Sequence, residues 1–277
     1  MTPNFFIVGT TKGGTSSLDL WLRGHPDVAT PKRKEMHFFC TCPSLKLHIA
    51  DSLEEYLAFF PPGKAVGESS PCYLYYPDIP ARLAQFSGLR IIVSLRDPIE
   101  RFWSHYLMKE NYSPSGWTAD EVLDRNLEQG RTNALEDLFG MGLYAEQLER
   151  YLDVFGDSVL VLFLEETSAD PGLAMTRVQD FLGLQAIDLD TSKRDKEYAA
   201  PKGRLGRYLL QNPAPRELGN LVLPPGVRRM LKSKVLAETD KPDMPDTLRH
   251  RLHDLYAADQ QRLEGLLGRE LPWSALT

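Results

Sequence analysis

The sequence predicts a three-layer α/β fold, in which a central parallel sheet carries helices on both faces. Short apolar runs typical of buried parallel strands occur at Phe5–Val8, Leu89–Leu95 and Val159–Leu164. Capped or amphipathic helical segments separate these runs. Strands that alternate with helices in this way form parallel sheets that are covered on both sides.

The predicted elements follow in a regular order along the chain. A glycine-rich turn after the first strand leads into a helix that begins at Ser16 or Ser17 and stops at His25-Pro26-Asp27. After the second strand, Asp97 is placed to cap a helix, Pro98 suits its first position, and Glu100 stands where a capping-box acid belongs. The remaining predicted elements are a helix over 53–60, a strand over 65–67, a helix over 143–155, a helix that ends near 183 and a helix over 245–267.

Length and composition indicate one large globular domain. The chain has 277 residues, of which 42% are hydrophobic and 25% charged, values close to the average for globular domains. No shift of composition marks a boundary, so we expect a single domain over residues 1–277. A proline-rich stretch, Asn212–Gly226, lies inside a predicted surface loop or lid over about residues 205–245.

Charge and hydropathy argue against several functional classes. A net charge of -6 counts against a binder of nucleic acid or of anionic membranes, and no apolar run approaches the roughly 18 residues of a membrane-spanning helix. The first residues carry no basic segment and are typical of a strand rather than a secretory signal. Three cysteines, an odd number, give no disulfide framework. We therefore expect a cytoplasmic, reduced protein with no nucleic-acid and no membrane partner.

The turn after the first strand has the composition of a phosphate-binding loop. It reads Gly9-Thr10-Thr11-Lys12-Gly13-Gly14-Thr15-Ser16-Ser17. Glycines let backbone N–H groups surround an anion, and a helix N-terminus adds about half a positive charge. Lys12 adds a full charge, and the hydroxyl side chains after it add donors. The glycine spacing is that of the nucleoside-triphosphate P-loop, but Thr15 stands where that motif has its lysine, which counts against a magnesium–ATP enzyme.

Three further segments follow this loop along the chain. They are Pro31-Lys32-Arg33-Lys34-Glu35-Met36-His37-Phe38-Phe39, Arg96-Asp97-Pro98-Ile99-Glu100-Arg101-Phe102-Trp103-Ser104 and Lys202-Gly203-Arg204. Together with Lys12-Gly13-Gly14-Thr15-Ser16-Ser17, they resemble the sulfotransferase family that uses PAPS (3'-phosphoadenosine-5'-phosphosulfate). The resemblance is closest to the heparan sulfate branch and its soluble bacterial relatives, and it implies a P-loop-like fold, PAPS as donor and PAP (3'-phosphoadenosine-5'-phosphate) as product.

The resemblance also implies a role for each segment. The residues from Lys12 to Ser17 bind the 5'-phosphosulfate of the donor. Arg96 and Ser104 bind its 3'-phosphate, while Lys202, Gly203 and Arg204 close over it. Glu35 is the base that takes a proton from the acceptor, and His37 is the competing candidate because some branches use a histidine there.

Sulfuryl transfer depends mostly on positioning and on charge stabilisation around an in-line displacement. Lys12 and the helix N-terminus are expected where negative charge grows on the leaving oxygen, so their contribution increases towards the transition state. The sulfuryl group carries less charge than a phosphoryl group, and we therefore expect no obligatory metal. A zinc site can be drawn from His37, Cys40, Cys42 and His48, but Cys40-x-Cys42 is tighter than the usual ligand spacing, so no metal site is predicted.

Some residues near these segments carry secondary expectations. Arg101 is expected to pair with Asp97, one turn earlier on the same helix. The resemblance implies that Tyr144, at the start of its helix, faces the site. The tyrosine group Tyr73, Tyr75 and Tyr76 fits either the acceptor pocket or the core.

The acceptor is the least determined part of the prediction. Heparan-type enzymes have a lysine after the glutamate that corresponds to Glu68, and Ser69 stands there in this chain. A polysaccharide acceptor is therefore not carried over, and we expect a hydroxyl or amine of a small-molecule or glycan acceptor. Its pocket depends on loops around 40–52, 110–140 and 205–245. Two other functions stay open, a magnesium-dependent kinase of the same fold and a non-catalytic nucleotide sensor.

Overall fold

A computed structural model describes residues 1–40, 49–193, 199–201, 203, 206, 208, 211, 236–238 and 240–273. Its strands are β1 Phe5–Gly9, β2 Val28–Ala29, β3 Ala65–Ser69, β4 Arg90–Leu95, β5 Val159–Phe163, β6 Ala199–Pro201 and β7 Leu236–Glu238. Its helices are α1 Thr15–Leu22, α2 Leu53–Ala58, α3 Ile79–Leu83, α4 Pro98–Tyr112, α5 Ala119–Gln129, α6 Tyr144–Phe155, α7 Leu164–Ala169, α8 Pro171–Phe181 and α9 Asp246–Leu267. None of the helices in these ranges is long and apolar enough to cross a bilayer.

The central sheet separates two apolar layers. Its five parallel strands lie in the order β2-β3-β1-β4-β5, and β6 and β7 form a separate antiparallel pair. Because successive side chains of a strand point to opposite faces, Phe5 and Ile7 of β1 pack with α1 and α8, whereas Phe6 and Val8 pack with α3, α6 and the end of α9. The predicted three-layer α/β fold, with a parallel sheet and helices on both faces, is confirmed.

The strand order reverses at the pair β1 and β4. Strands β3 and β2 lie on one side of β1, and β4 and β5 lie on the other. Helix α1 follows β1 on one face of the sheet, while α3 precedes β4 on the opposite face. Open parallel sheets bind ligands in the crevice at such a reversal, beyond the carboxyl ends of the strands. The loops that follow Gly9 and Leu95 both open onto this crevice.

Most predicted elements agree with the structure to within two residues at their ends. The expectation of a loop over 110–140 is wrong, because α5 lies within it. The side chain of Thr118 accepts a hydrogen bond from the Glu121 amide, and the Glu121 side chain accepts one from the Thr118 amide. This capping box is visible in the sequence as Thr-x-x-Glu. Helices α3 and α7 and strand β2 were also missed, since each is too short to show a clear period.

Helix α4 begins with Asp97 as its N-cap, as predicted, but a different acid accepts the hydrogen bond of the Asp97 amide. Asp97 Oδ1 accepts from the Ile99 amide (2.8 Å), and proline holds the first helical position. The expectation that Glu100 completes a capping box is wrong. Glu165 Oε1, from α7, accepts the hydrogen bond of the Asp97 amide instead (3.0 Å). A long-range carboxylate thus takes the place of the local one.

The expected pairing of Arg101 with Asp97 is also wrong. The Arg101 side chain is fully buried, donates to the Leu138 carbonyl oxygen, and places Nη1 3.3 Å from His105 Nδ1. Burial lowers the pKa of His105 well below its usual value, and the nearby cations Arg101 and Lys12 lower it further. The ring of His105 is therefore a neutral imidazole at physiological pH.

Candidate active site

The loop between β1 and α1 is fixed to the end of β4. The Thr10 amide donates to the Ser94 carbonyl oxygen (2.7 Å), and Ser94 Oγ donates to the Gly13 carbonyl oxygen (2.6 Å). A Cβ at Gly13 would lie 2.4 Å from the Ser94 oxygen, so no larger residue fits without a shift. Gly14 precedes α1 with φ +83°, a conformation that glycine adopts without strain. The backbone itself requires both glycines of the predicted phosphate-binding loop Lys12–Ser17, called the cradle below.

Two lysines approach this loop from different segments. Lys12 belongs to it, and its Nζ lies 3.8 Å from Met108 Sδ on α4. Lys34 Nζ donates to Ser16 Oγ (2.6 Å) and pairs with Glu35 Oε1 (3.3 Å). Lys34 was named in the sequence only as a neighbour of Glu35, yet it ties the candidate base to the cradle. Two cations beside a helix N-terminus form an environment suited to an anion.

Arg96 leaves the end of β4 and turns towards the same loop. Its Nη1 donates to the Lys12 carbonyl oxygen over 3.4 Å, and its Nη2 lies 3.7 Å from Glu100 Oε2. The Tyr144 hydroxyl donates to the Arg96 carbonyl oxygen (2.9 Å). Tyr144 is fully buried, so the expectation that it faces the site is wrong, and it supports Arg96 from behind instead.

A buried carboxylate organises the segment that carries Glu35 and His37. Glu68, at 1% exposure, accepts hydrogen bonds at 3.0–3.1 Å from the Met36 amide and from the hydroxyls of Tyr56, Ser70 and Tyr73. Burial raises the pKa of Glu68, and the hydrogen bonds oppose that rise. Sequence reasoning treated Glu68 only as a point of comparison with relatives, because nothing local shows its partners.

The backbone of this segment is held on both sides of Met36. The Glu35 amide donates to the Ser69 carbonyl oxygen (3.1 Å), and the His37 amide donates to Ser70 Oγ (3.1 Å). Glu35 and His37 have φ of +60° and +52°, values that cost free energy for residues other than glycine. The surrounding hydrogen bonds maintain this conformation in two candidate residues that lie on either side of Met36.

His37 lies between an acid and two thiols. Its Nε2 is 3.8 Å from Glu35 Oε2, and its Nδ1 is 2.9 Å from Cys72 Sγ. Burial lowers the pKa of His37, but hydrogen bonding with Cys40 and Glu35 outweighs burial and raises the pKa to about 9. The hydrogen bond from Cys72 lowers the pKa of the Cys40 thiol to about 7, while burial raises that of Cys72. At neutral pH, a His37 of this pKa is a cation rather than a base.

One cavity of about 540 Å³ connects these groups. Its lining brings together almost all of the described residues that the sequence predicts for the site, namely Lys12, Gly14, Thr15, Ser16, Ser17, Glu35, His37, Arg96 and Ser104. Gly13 belongs to the same loop but packs against the Ser94 carbonyl oxygen of β4 and does not line the cavity. Gly203 is exposed and does not line the cavity, while Lys202, Arg204 and most of the predicted lid fall outside the described residues.

Several lining residues were not predicted. They are Thr11, Trp21, Pro71, Cys72, Ser94, His105, Met108, Leu164, Thr167 and Ser168. Those of α7 follow β5 directly, so the rule that ligands lie beyond strand ends could have found them. Ala134 and Leu135 also line the cavity, and they lie in the stretch 110–140 that was expected to shape the acceptor pocket. The expected tyrosine group belongs to the core, since Tyr73 and Tyr75 are buried and bond to Glu68 and Asp137.

Comparison with known proteins adds family information to this geometry. Residues 2–198 match the family model described as a sulfotransferase domain. The chain is 33% identical over 193 residues to mouse heparan sulfate glucosamine 3-O-sulfotransferase 3B1, covering 68% of this chain and 48% of that protein. It is 30% identical over 277 residues to human heparan sulfate glucosamine 3-O-sulfotransferase 6, covering 98% of this chain and 73% of the relative. The chain thus spans about half the length of the first of these curated relatives.

Among solved structures, a sulfotransferase from Alicyclobacillus acidocaldarius has the same architecture. The TM-score is 0.75 at 29% sequence identity, and the alignment covers 98% of each chain. The five-strand parallel sheet and its helices therefore match that protein over nearly its whole length.

Proposed function

The chain belongs to the sulfotransferase family, and we propose that it transfers a sulfuryl group from PAPS to a hydroxyl or amine of a small-molecule or carbohydrate acceptor, releasing PAP. The observation that carries this proposal is the single cavity that holds both predicted anchors of the donor. The cradle from Lys12 to Ser17, apart from Gly13, lines the same space as the pair Arg96 and Ser104. One nucleotide with phosphates at both ends of its ribose can therefore reach both.

The donor is oriented by the sheet. The 5'-phosphosulfate lies at the N-terminus of α1, where backbone amides and Lys12 meet it. The 3'-phosphate lies against Arg96, whose planar guanidinium suits a phosphate held by two hydrogen bonds. Ser104 adds a hydroxyl from the first half of α4. Both groups follow strands at the reversal point, so the nucleotide lies across the ends of β1 and β4.

The reaction is an in-line displacement at sulfur. The acceptor oxygen or nitrogen forms a bond to sulfur while the bond from sulfur to the bridging phosphate oxygen breaks, and that oxygen leaves with the electron pair on PAP. Lys12 and the α1 N-terminus stabilise the charge that grows there. Glu35 takes the acceptor's proton. His37, as a cation beside Glu35, keeps that carboxylate ionised and ready to accept a proton.

A transfer assay with the donor and matched variants tests this function. Radiolabelled PAPS is incubated with a panel of phenols, alcohols, amines and oligosaccharides, and labelled product is counted. We expect Glu35→Gln to reduce the rate by about 10²- to 10⁴-fold, the usual contribution of a general base, with unchanged affinity for PAP. His37→Gln is the matched control from the same segment. If it removes transfer by a similar factor while Glu35→Gln does not, the base is misassigned.

A ligand comparison separates the proposal from its alternatives. PAP at 100 times its dissociation constant should stabilise the protein by about 2.7 kcal/mol in thermal unfolding. A kinase of the same fold predicts that stabilisation comes from ATP with magnesium instead, and this result would refute PAPS as the donor. If the protein is a nucleotide sensor, PAP binds but no sulfuryl group is transferred to any acceptor. Glu35→Gln then has no transfer rate to reduce.

A further inference from the structure

Two cysteines and a histidine, contributed by the segment 37–40 and by the residues after β3, meet at the edge of the cavity. Cys40 Sγ and Cys72 Sγ are 3.1 Å apart across 32 residues of sequence, and His37 Nδ1 is 2.9 Å from Cys72 Sγ. One ligand atom from each of the three residues lies within 4.8 Å of the other two. The sulfuryl-transfer mechanism uses neither thiol.

The set of ligand atoms suits a thiophilic metal. Two thiolates and one imidazole, with a fourth position left open, are a common Zn²⁺ environment. Typical Zn–S bonds of about 2.3 Å place two sulfurs of a tetrahedral site about 3.8 Å apart. The two sulfurs therefore need to separate by about 0.7 Å to bind a metal, whereas a disulfide needs them to approach by about 1 Å. Metal binding requires the smaller movement.

The position of His37 supports the same conclusion. A histidine that binds a metal usually turns its other ring nitrogen towards a carboxylate, and His37 turns Nδ1 to the sulfurs and Nε2 to Glu35 Oε2 at 3.8 Å. The turn is built to hold this arrangement, because the Cys40 amide donates to the His37 carbonyl oxygen (3.0 Å) and the His37 amide donates to Ser70 Oγ. His37 and Cys72 both line the cavity, which gives an ion a path to the site.

We propose that His37, Cys40 and Cys72 bind one divalent cation of the Zn²⁺ class, and that its binding inhibits transfer. Coordination takes place through deprotonated sulfurs and the Nδ1 lone pair, so the displaced protons go to solvent. The metal-free His37 already directs Nε2 to Glu35 Oε2 from 3.8 Å, but its ring can turn away. Coordination of Nδ1 fixes the ring, so its Nε2–H stays on the carboxylate that must accept the acceptor's proton, and transfer slows. The inhibitory part rests on the proposed function, whereas the binding part does not.

Cobalt titration tests the binding part without any activity measurement. Metal-free protein, reduced and kept under anaerobic conditions, is titrated with Co²⁺ while the thiolate-to-cobalt charge-transfer band and the tetrahedral ligand-field bands are recorded. We expect one equivalent of Co²⁺, displaced by one equivalent of Zn²⁺. The variants Cys72→Ser and Cys40→Ser should each abolish the charge-transfer band of this site, and Cys40 is the less buried of the two cysteines. Glu35→Gln, which removes the carboxylate that faces His37 Nε2, should weaken zinc binding by about 10- to 100-fold.

The third cysteine supplies the matched control. Cys42 lies outside the described residues, and Cys42→Ser should retain the cobalt spectrum. A spectrum that survives Cys72→Ser but disappears with Cys42→Ser would overturn the assignment. So would wild-type protein that binds no cobalt but forms a Cys40–Cys72 disulfide with peroxide. PAP binding, measured on every variant by calorimetry, shows that the fold and the donor site are intact.

The activity measurement then tests the inhibitory part. One equivalent of Zn²⁺ should lower the transfer rate, and a chelator should restore it. The residual rate of Cys40→Ser should not respond to zinc. If zinc binds with the expected spectrum and stoichiometry but leaves transfer unchanged, the site stands and inhibition is refuted. If no transfer is found for metal-free protein with any acceptor, the proposed function fails while the cobalt result remains valid.

Discussion

Replacing Arg96 tests whether one nucleotide joins both ends of the cavity. In the structure, the guanidinium makes one hydrogen bond of 3.4 Å and one ion pair of 3.7 Å, both at the long end of their ranges. A phosphate that accepts two charge-assisted hydrogen bonds offers about 1.5–3 kcal/mol for each. After the weak contacts within the protein are given up, we expect a net contribution of about 2.7 kcal/mol, or about 100-fold in affinity.

The assay compares two ligands that differ only in the 3'-phosphate. Calorimetry with PAP and with adenosine 5'-monophosphate, on wild type and variant, gives a thermodynamic cycle in which one change removes the side chain and the other removes the 3'-phosphate. Arg96→Ala should weaken the binding of PAP by about 100-fold and leave the binding of the monophosphate nearly unchanged. Arg96→Lys keeps the charge but loses the planar fork, so an intermediate loss is expected.

A surface arginine provides the control for this cycle. Arg82 pairs with Asp78 on the exposed side of α3, with 42% of each side chain accessible. Arg82→Ala should change neither affinity. Equal losses for PAP and for the monophosphate would show that Arg96 does not contact the 3'-phosphate, and the bridging of the cavity by one nucleotide would then be refuted.

The other predictions concern groups that position the site. Gly13→Ala places a methyl carbon 2.4 Å from a β4 carbonyl oxygen. It should lower the free energy of unfolding, measured with a chemical denaturant, by about 1–3 kcal/mol, and it should weaken PAP binding. An unchanged PAP affinity would count against phosphate binding by the cradle. Tyr144→Phe leaves the Arg96 carbonyl oxygen without its 2.9 Å partner, which should cost about 1–3 kcal/mol by urea titration, and no change would show that the hydroxyl does not contribute. Glu68→Leu leaves the Met36 amide and three hydroxyls without their acceptor, so kcat should fall while PAP affinity is retained. In Glu68→Gln, which keeps one acceptor oxygen, kcat should fall less. A selective loss of PAP binding would contradict the positioning role of Glu68.

The residues that line the cavity at the ends of β1 and β4 could be predicted because their signals are local. A glycine-rich loop after one strand and an arginine after another are each visible in a few residues, and parallel strands bring their carboxyl ends to one edge. Long-range contacts are not visible in this way. The hydrogen bonds of Glu68 reach Met36 across 32 residues, and Cys72 approaches His37 across 35. No period or motif predicts such pairs, since they depend on how β3 and the preceding loop pack.

The start of α4 shows how local capping rules can be overridden. The local rule assigns Glu100 to the helix N-terminus, yet Glu165 takes that place and leaves Glu100 to pair with other groups. The difference follows from the fold, because α7 begins directly after β5 and brings its first-turn acids to the edge where α4 starts. Propensity alone could not show this.

Placing Glu100 beside Arg96 explains how a chain of net charge -6 can keep a cationic site. An unshared carboxylate near Arg96 would cancel its attraction for a phosphate. Burial raises the pKa of Glu100, but ion pairs with Lys241 (2.6 Å) and Arg249 (3.1 Å) outweigh burial and lower it. Glu100 thus stays ionised, orients the guanidinium from 3.7 Å, and has its charge shared by two other cations. Because two other cations share the charge of Glu100, the guanidinium of Arg96 stays available to a phosphate in the proposed site.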